Sequence, residues 1–246
     1  MKKTGILFLL LISGGFLYAQ KKSVNQFADL AATVGQKQGS IAGSYVYNWQ
    51  LGKQKKWELG LGARITSYFG TKKDFITAGP AKLTRTGTVP FLIFFAGQKP
   101  ENFDTLQVQR PLVFSTNITA NIGYHISSKL YAGFNIDVIG FSIGRKESGI
   151  LTGTNQNGQQ GSFTDNAVKP TAFNILLTGD HDRGTLNSEF FLKYKLSEKI
   201  SIRGIYQFLF VEYTTSSVQQ KAPNGTVVER FRNKANNFGL GFSYKL

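Results

Sequence analysis

The sequence predicts an all-β protein, an antiparallel up-and-down transmembrane β-barrel of about eight strands. Apolar and polar residues alternate with a period of two along several segments, which is typical of strands with one apolar and one polar face. Short polar turns join some of these segments, and long polar stretches join the others. Transmembrane barrels show this asymmetry, with short periplasmic turns and long extracellular loops.

The overall composition agrees with that prediction. Hydrophobic residues make up 41% of the 246 residues, and the mean hydropathy is -0.16. This is too polar for a bundle of membrane helices, but only every second residue of a barrel strand meets lipid. After residue 19, no apolar run reaches the roughly 18 residues that a membrane-spanning helix needs.

The amino-terminal segment predicts export. Lys2 and Lys3 precede an apolar stretch from Gly5 to Ile12, and the small residue Ala19 follows. This pattern is typical of a signal peptide, so we expect a leader at residues 1–19 and a barrel domain at residues 20–246. A membrane anchor helix is the weaker alternative, because the apolar stretch is short for a span.

The net charge and the absence of cysteine narrow the expected partners. The formal net charge is +15, which favours anionic partners. Because export argues against nucleic acid, we expect outer-membrane lipids and lipopolysaccharide to supply the opposite charge. The chain has no cysteine, which excludes disulfides and a lipid-modified cysteine anchor.

The first predicted strand is Ser23 to Gly35, whose residues also fit a short helix. We favour the strand, because the final strand of a barrel needs a partner. Clear alternation follows from Ile41 to Leu51 and from Trp57 to Thr66. A short polar turn separates these two segments, which predicts a hairpin.

Gly70 to Arg110 is predicted to be a long outward loop. It interrupts the alternation and contains Pro80, Pro90 and Pro100. The apolar segment Val89 to Ala96 within it fits three placements: over the barrel mouth, on the membrane surface, or against other loops.

The central hairpin comprises Leu112 to His125 and Leu130 to Ile143, joined by a tight polar turn. The alternation slips by one residue near Val138, beside Gly140. Such a slip predicts a β-bulge.

Arg145 to Gly184 is predicted to be a second long loop, in which residues 172–177 extend a strand above the membrane. The last hairpin comprises Leu186 to Leu196 and Ile200 to Phe210. Ser216 to Arg230 is the third long loop.

The chain ends in the strand that we expect to close the barrel. Its apolar residues share one face, and its small or polar residues share the other. We expect it to pair with the first strand. The apolar face consists of Phe238, Leu240, Phe242, Tyr244 and Leu246.

Two turns repeat one pattern, tyrosine-x-hydrophobic-serine-x-lysine, at Tyr124 to Leu130 and at Tyr194 to Ile200. With the signal peptide and the closing strand, these turns make the chain resemble the small outer membrane protein beta-barrel family of Gram-negative bacteria. The resemblance implies an outer-membrane location, contact with outer-membrane lipids and insertion by the outer-membrane assembly machinery. Family members often end in an aromatic residue, whereas this chain ends in Leu246.

An aromatic girdle is expected at the predicted periplasmic ends of the strands, where amphipathic rings meet the membrane interface. The residues concerned are Tyr47, Trp49, Trp57, Tyr124, Tyr194 and Tyr244.

The faces opposite the apolar ones predict a charged interior. A barrel of about eight strands holds mainly side chains, and an unpaired buried charge is costly. We therefore expect structural ion pairs rather than a transport pathway. The predicted inward charges are Glu58, Arg64, Asp137, Glu189, Lys193 and Arg203.

The two histidines, His125 and His181, lack the spacing of a catalytic or metal site. No cofactor is expected. Residues 179–184 around His181 are interpreted as a solvated polar turn, with cation binding through their carboxylates as the alternative. Four basic residues of the first long loop are expected to contact lipopolysaccharide phosphates: Lys72, Lys73, Lys82 and Arg85.

The expected function is that of a non-enzymatic integral outer-membrane barrel that anchors and displays surface loops. The alternatives are a narrow porin or transporter for small solutes, a lipid-modifying enzyme that uses His125 or His181, and a secreted soluble barrel with a hydrophobic interior. The sequence indicates neither a specific ligand nor an oligomeric state.

Overall fold

The computed structural model describes residues 23–89, 96–177 and 182–246. Within these ranges the helices are α1, Ala81–Thr84, and a 3-10 turn at Pro100–Asn102. None of the described helices is long and apolar enough to cross a membrane. The fifteen strands are β1 Val24–Gly35, β2 Gln38–Leu51, β3 Trp57–Gly70, β4 Lys73–Thr77, β5 Thr105–Val108, β6 Leu112–His125, β7 Leu130–Ile143, β8 Glu147–Thr154, β9 Gln160–Pro170, β10 Phe173–Ile175, β11 Leu186–Lys195, β12 Ile200–Thr214, β13 Gln220–Lys221, β14 Val227–Val228 and β15 Arg230–Lys245.

Eight of these strands pair antiparallel in one unbroken circuit, and we call them the long strands. The pairs are β1–β2, β2–β3, β3–β6, β6–β7, β7–β11, β11–β12 and β12–β15. β15 then pairs with β1. Each long strand therefore has a neighbour on both of its edges, and the circuit has no free edge.

The predicted count of about eight strands is wrong, because the predicted loops contain seven more. These are β4, β5, β8, β9, β10, β13 and β14, which run from two to eleven residues. Most of them are too short for a period of two to stand out in the sequence. Their pairing with other strands, rather than their local pattern, defines them.

Four of the added strands form what we call the extension. β4 pairs with β15 at Phe231 and Arg232, and β9 pairs with β12 at Tyr213 and Thr214. The pairs β4–β5, β5–β8 and β8–β9 join these two contacts. The extension thus continues from the ends of β12 and β15 and makes a second, smaller circuit with them.

Three local predictions are confirmed. The first segment is a strand, β1, rather than a helix. The β6–β7 register shifts so that Ile118 pairs with Ile139 but Thr119 pairs with Asp137, which places the bulge at Val138. The short strand β10 pairs with β7, as an extension of that sheet.

The connections differ between the two ends of the long strands. The β2–β3, β6–β7 and β11–β12 connections are four or five residues long, by the strand bounds, and we call this the short-turn end. The extension and the other added strands lie at the opposite end, which we call the loop end, where a two-residue turn also joins β1 to β2.

An apolar core, which we call the apolar cap, lies at the loop end. Residues of the long strands and of the extension contribute to it, and all are fully excluded from solvent. Burial of this apolar surface stabilises the extension against the long strands. The apolar cap consists of Tyr68, Phe75, Leu106, Val108, Val113, Leu151, Val168, Leu209, Val211, Tyr213, Phe231 and Ala235.

Candidate membrane-facing surface and interior charge network

The outward face of the long strands is apolar and exposed. Every long strand contributes, and the exposed fraction reaches 74% at Leu240 and 72% at Ile143. A contiguous apolar surface of this extent marks contact with a partner or a membrane. Its members include Leu30, Val34, Ile41, Tyr45, Leu59, Leu61, Ile65, Phe114, Ile118, Ile122, Ile139, Phe141, Phe190, Leu192, Ile202, Tyr206, Phe238, Leu240 and Phe242.

The closing strand lies between β1 and β12. Leu240 pairs with Ala32 on one side and with Gly204 on the other, and Phe242 pairs with Leu30 and Ile202. The five residues Phe238, Leu240, Phe242, Tyr244 and Leu246 are all exposed on the outward face or at its end. They therefore continue the apolar surface across the join between the two ends of the chain.

Aromatic rings collect on this surface toward the short-turn end. The Trp57 and Tyr124 rings lie 4.8 Å apart, and the Tyr47 and Trp49 rings lie 5.3 Å apart, measured between centroids. Tyr194 and Tyr244 are exposed near the same end. Rings in this position fit the interface between hydrocarbon and water.

The inward face of the same strands carries buried charges. Arg64 lies 3.5 Å from Asp137 and 3.7 Å from Glu189, measured between its Nη1 and the carboxylate oxygens. It also donates hydrogen bonds to the Asn187 carbonyl and the Asn135 side chain. All of these groups are buried, so the protein itself supplies the charge partners of the guanidinium, although the Arg64 Nε has no hydrogen-bond partner among the described residues.

Glu189 links this cluster to a second guanidinium. Arg203 donates to Glu189 Oε2 at 3.1 Å and to Asp29 Oδ2 at 2.8 Å, and its guanidinium lies 3.9 Å from the centre of the Phe191 ring. The sequence reasoning missed Asp29. The alternation in β1 could have identified it, because Asp29 lies next to the outward-facing Leu30 and therefore faces inward.

Glu58 forms a separate cluster near the short-turn end. Its oxygens accept hydrogen bonds from Asn48 at 3.0 Å and Tyr131 at 3.1 Å, and also from Asn25. The His125 ring lies 2.7 Å from Glu58 Oε1. His125, which the sequence left without a partner, is thus bound to a buried carboxylate.

Lys193 points inward between two aromatic rings. Its Nζ lies 3.4 Å from the centre of the Phe27 ring and 4.7 Å from that of Tyr131. The Tyr131 ring fits because Gly123 faces it, since a Cβ there would overlap the phenol. The structure thus brings Arg64, Asp137, Glu189 and Arg203 into one network, and places Glu58 and Lys193 nearer the short-turn end. With Asp29, we call these seven residues the polar interior: Asp29, Glu58, Arg64, Asp137, Glu189, Lys193 and Arg203.

A further charge cluster, which the sequence reasoning did not identify, lies at the loop end. Glu212 is fully buried, and Arg230 and Arg232 lie 3.2 and 2.8 Å from its carboxylate oxygens. The Gly184 N–H donates to the same carboxylate at 3.2 Å. These contacts fix the ends of β12 and β15 where the extension joins them.

The four basic residues expected to contact lipopolysaccharide lie on two different elements. Lys72 lies between β3 and β4, and Lys73 is the first residue of β4, where it donates to the Gln36 carbonyl at 3.2 Å. Lys82 and Arg85 lie on and just after α1. Contact with lipopolysaccharide stays a prediction for both pairs.

Several sequence predictions fall outside the described residues. These are the signal peptide, His181 and most of Val89 to Ala96. Within the described part of the chain, no group of three or more His, Asp or Glu side chains is placed to hold a metal ion.

Comparisons with known proteins give weak similarities. No protein-family model matches the chain, and no curated protein matches it in sequence. Among solved structures, neisserial surface protein A is 9% identical, with a TM-score of 0.33 over 91% of this chain and 96% of that one. Ail of Yersinia pestis, solved with a heparin analogue, is 9% identical, with a TM-score of 0.35 over 92% and 99%. A major outer membrane protein from Thermus thermophilus is 12% identical, with a TM-score of 0.36 over 91% and 100%. TM-scores this low do not establish a common fold.

Proposed function

We propose that this protein is an integral outer-membrane β-barrel, in which the eight long strands span the membrane. One observation carries the proposal: the circuit is apolar on its outward face and charged on its inward face. This is the reverse of a soluble barrel, whose apolar face would point inward. The long strands have 10 to 16 residues, and each is therefore long enough for a tilted transmembrane strand, which needs roughly 9–11.

The proposed role is non-enzymatic anchoring and display of the extension on the outer side of the membrane. The polar interior and the apolar cap fill the circuit at different levels with buried side chains. This filling favours a barrel that is closed to solutes over a narrow porin. Contact with outer-membrane lipids and lipopolysaccharide belongs to the same proposal.

A pair of matched substitutions tests the membrane assignment. Leu240→Arg places a charge on the proposed lipid face, where it should destabilise the inserted barrel by about 2–4 kcal/mol if it lies near the bilayer midplane. Val227→Arg, at an exposed apolar residue of β14, is the control and should leave insertion unchanged. The measurement is insertion into lipid vesicles, read as the folded fraction by heat-dependent gel mobility. Equal insertion of the two variants would contradict a membrane-spanning circuit.

Conductance of the inserted protein in a planar bilayer tests the closed interior. We expect no current steps from protein whose folded state has been verified. Discrete and reproducible steps would instead support the narrow porin. Cleavage of the extension by protease added to intact cells, with the long strands protected, would support display on the outer side.

A further inference from the structure

The short-turn end holds a cavity of about 120 Å³, which we call the basic pocket. It lies between the first residues of β1, the β6–β7 and β11–β12 connections, and the end of β15. The basic and acidic residues that line it are Lys129, Lys193, Lys195, Lys245, His125 and Glu198.

Lys193 forms the inner end of this pocket. Its side chain is only 7% exposed, and its described contacts are with the faces of the Phe27 and Tyr131 rings. Among the described residues, no hydrogen bond or ion pair involves its ammonium group. Because an ammonium group carries three N–H donors, a nearly buried lysine without such partners has unused capacity to bind an anion.

Three carboxylates lie in or near the pocket, and each has a partner. Asp29, whose charge also acts on Lys193, pairs with Arg203 at 2.8 Å through one oxygen, and its other oxygen has no hydrogen bond among the described residues. Glu58 accepts four hydrogen bonds, one of them shared with His125. Glu198 pairs with Lys195 at 2.8 Å. The remaining ammonium groups that line the pocket, on Lys129, Lys193 and Lys245, therefore give it an excess of positive charge.

We propose that the basic pocket binds a phosphate-bearing anion, with Lys193 at its inner end and Lys129 and Lys245 at its rim. Lysine ammonium groups bind phosphate as point charges. The hydroxyls of Ser127, Ser128 and Ser201, which also line the pocket, add donors that suit a tetrahedral oxyanion. The site depends on the fold of the short-turn end and not on whether the long strands span a membrane.

The test is calorimetric titration of the folded full-length protein in a detergent without phosphate. The probes are inorganic phosphate and dihexanoyl phosphatidylglycerol, with dihexanoylglycerol as the neutral control. Tighter binding of phosphatidylglycerol would identify a lipid headgroup as the source of the anion. Binding of inorganic phosphate alone would identify a free phosphate.

Lys193→Met keeps the length of the side chain and removes its charge. We expect it to weaken binding by about tenfold or more, as loss of a charge-assisted hydrogen bond would. Lys55→Met, in the β2–β3 connection outside the pocket lining, should bind as the unaltered protein does. If gel mobility shows that Lys193→Met does not fold, the double variant Lys129→Met with Lys245→Met replaces it in the titration. We expect the double variant to bind about tenfold or more weakly as well.

Two results would overturn the site. One is the absence of binding of either phosphate-bearing probe by the unaltered protein. The other is unchanged affinity in the folded variants. Neither result would bear on the membrane assignment, which rests on Leu240 and its neighbours on the outward face.

Discussion

The polar interior and the apolar cap fill the same circuit of strands with opposite chemistry. In the polar interior, Arg64 and Arg203 share Glu189, and each has a further carboxylate partner. In the apolar cap, residues such as Leu151 and Phe231 exclude solvent by packing alone. The two buried guanidiniums need carboxylate partners, because an unpartnered buried charge costs several kcal/mol, whereas the apolar cap needs only side chains whose volumes fill the space.

The two regions also differ in what they hold together. The polar interior joins long strands that have partners on both edges and registers of seven or more residues. The apolar cap joins the long strands to the extension, whose two links to β12 and β15 are only two residue pairs each. Substitutions in the polar interior should therefore destabilise all eight long strands, and substitutions in the apolar cap should destabilise the extension.

Glu189→Gln tests the polar interior and has the largest expected effect. It leaves two buried guanidiniums short of a shared carboxylate, so the free energy of unfolding should fall by about 3–5 kcal/mol. The measurement is urea unfolding in detergent, followed by gel mobility. Glu198→Gln, which removes a carboxylate that is 91% exposed, is the control and should cause no measurable change. Similar stability of the two variants would show that the buried Glu189 carboxylate contributes no more to stability than the exposed Glu198 carboxylate.

Leu151→Ala tests the apolar cap. The side chain is fully buried, so truncation should destabilise the extension by about 2–5 kcal/mol. We expect faster proteolysis within β4, β5, β8 and β9, with the heat-dependent gel shift of the long strands retained. Ile150→Ala, at the exposed neighbouring residue of β8, should have little effect. Loss of the gel shift in Leu151→Ala would show that the two regions unfold as one.

Asp165, on β9, offers a smaller test through pH. Burial opposes its ionisation, but N–H groups of Ala167, Ser216, Ser217 and Val218 donate to its carboxylate, and the pKa lies below its ordinary value of 3.8. Because the folded pKa is lowered, this carboxylate stabilises the fold above pH 3.8. That contribution is lost as the pH falls through the lowered pKa.

Asp165→Asn should remove this pH-dependent contribution to the stability of the fold. We expect the free energy of local opening of the connection after β12 to fall by about 1.5–3 kcal/mol at neutral pH. The reason is that the side chain that accepts hydrogen bonds from three successive N–H groups is no longer charged. Hydrogen exchange of the Ser216, Ser217 and Val218 amides measures the loss. Asp74→Asn, at an exposed carboxylate bonded to Gln107, is the control. Equal exchange rates of these amides in both variants would show that the Asp165 carboxylate does not stabilise this connection.

The long strands could be predicted because their alternation extends over ten or more residues. The phase slip at Val138 was also visible, since a bulge shifts every later side chain to the other face. The strands of the extension could not be predicted. Thr105–Val108 is four residues long, and its pairing with β4 and β8 depends on contacts distant in sequence.

The interior charges were predictable as a set but not as pairs. Alternation shows that Arg64 and Glu189 face inward, yet it does not show that they meet at the same level of the circuit. That level depends on the registers of β3–β6, β6–β7 and β7–β11 together. The sharing of Glu189 by Arg64 and Arg203 therefore came only from the structure, as did the contact between His125 and Glu58.

The pairing of β15 with both β1 and β12 also has a consequence for the order of folding. β1 pairs with residues near the other end of the chain, such as Phe27 with Lys245, so closing the circuit requires contacts of very high sequence separation. Such contacts form slowly, because the entropy of the intervening chain must be lost first. Until the final residues dock, β1 and β12 each present an open row of backbone donors and acceptors, which invites pairing with other chains. Docking of β15 between β1 and β12 is thus the step that removes both open edges.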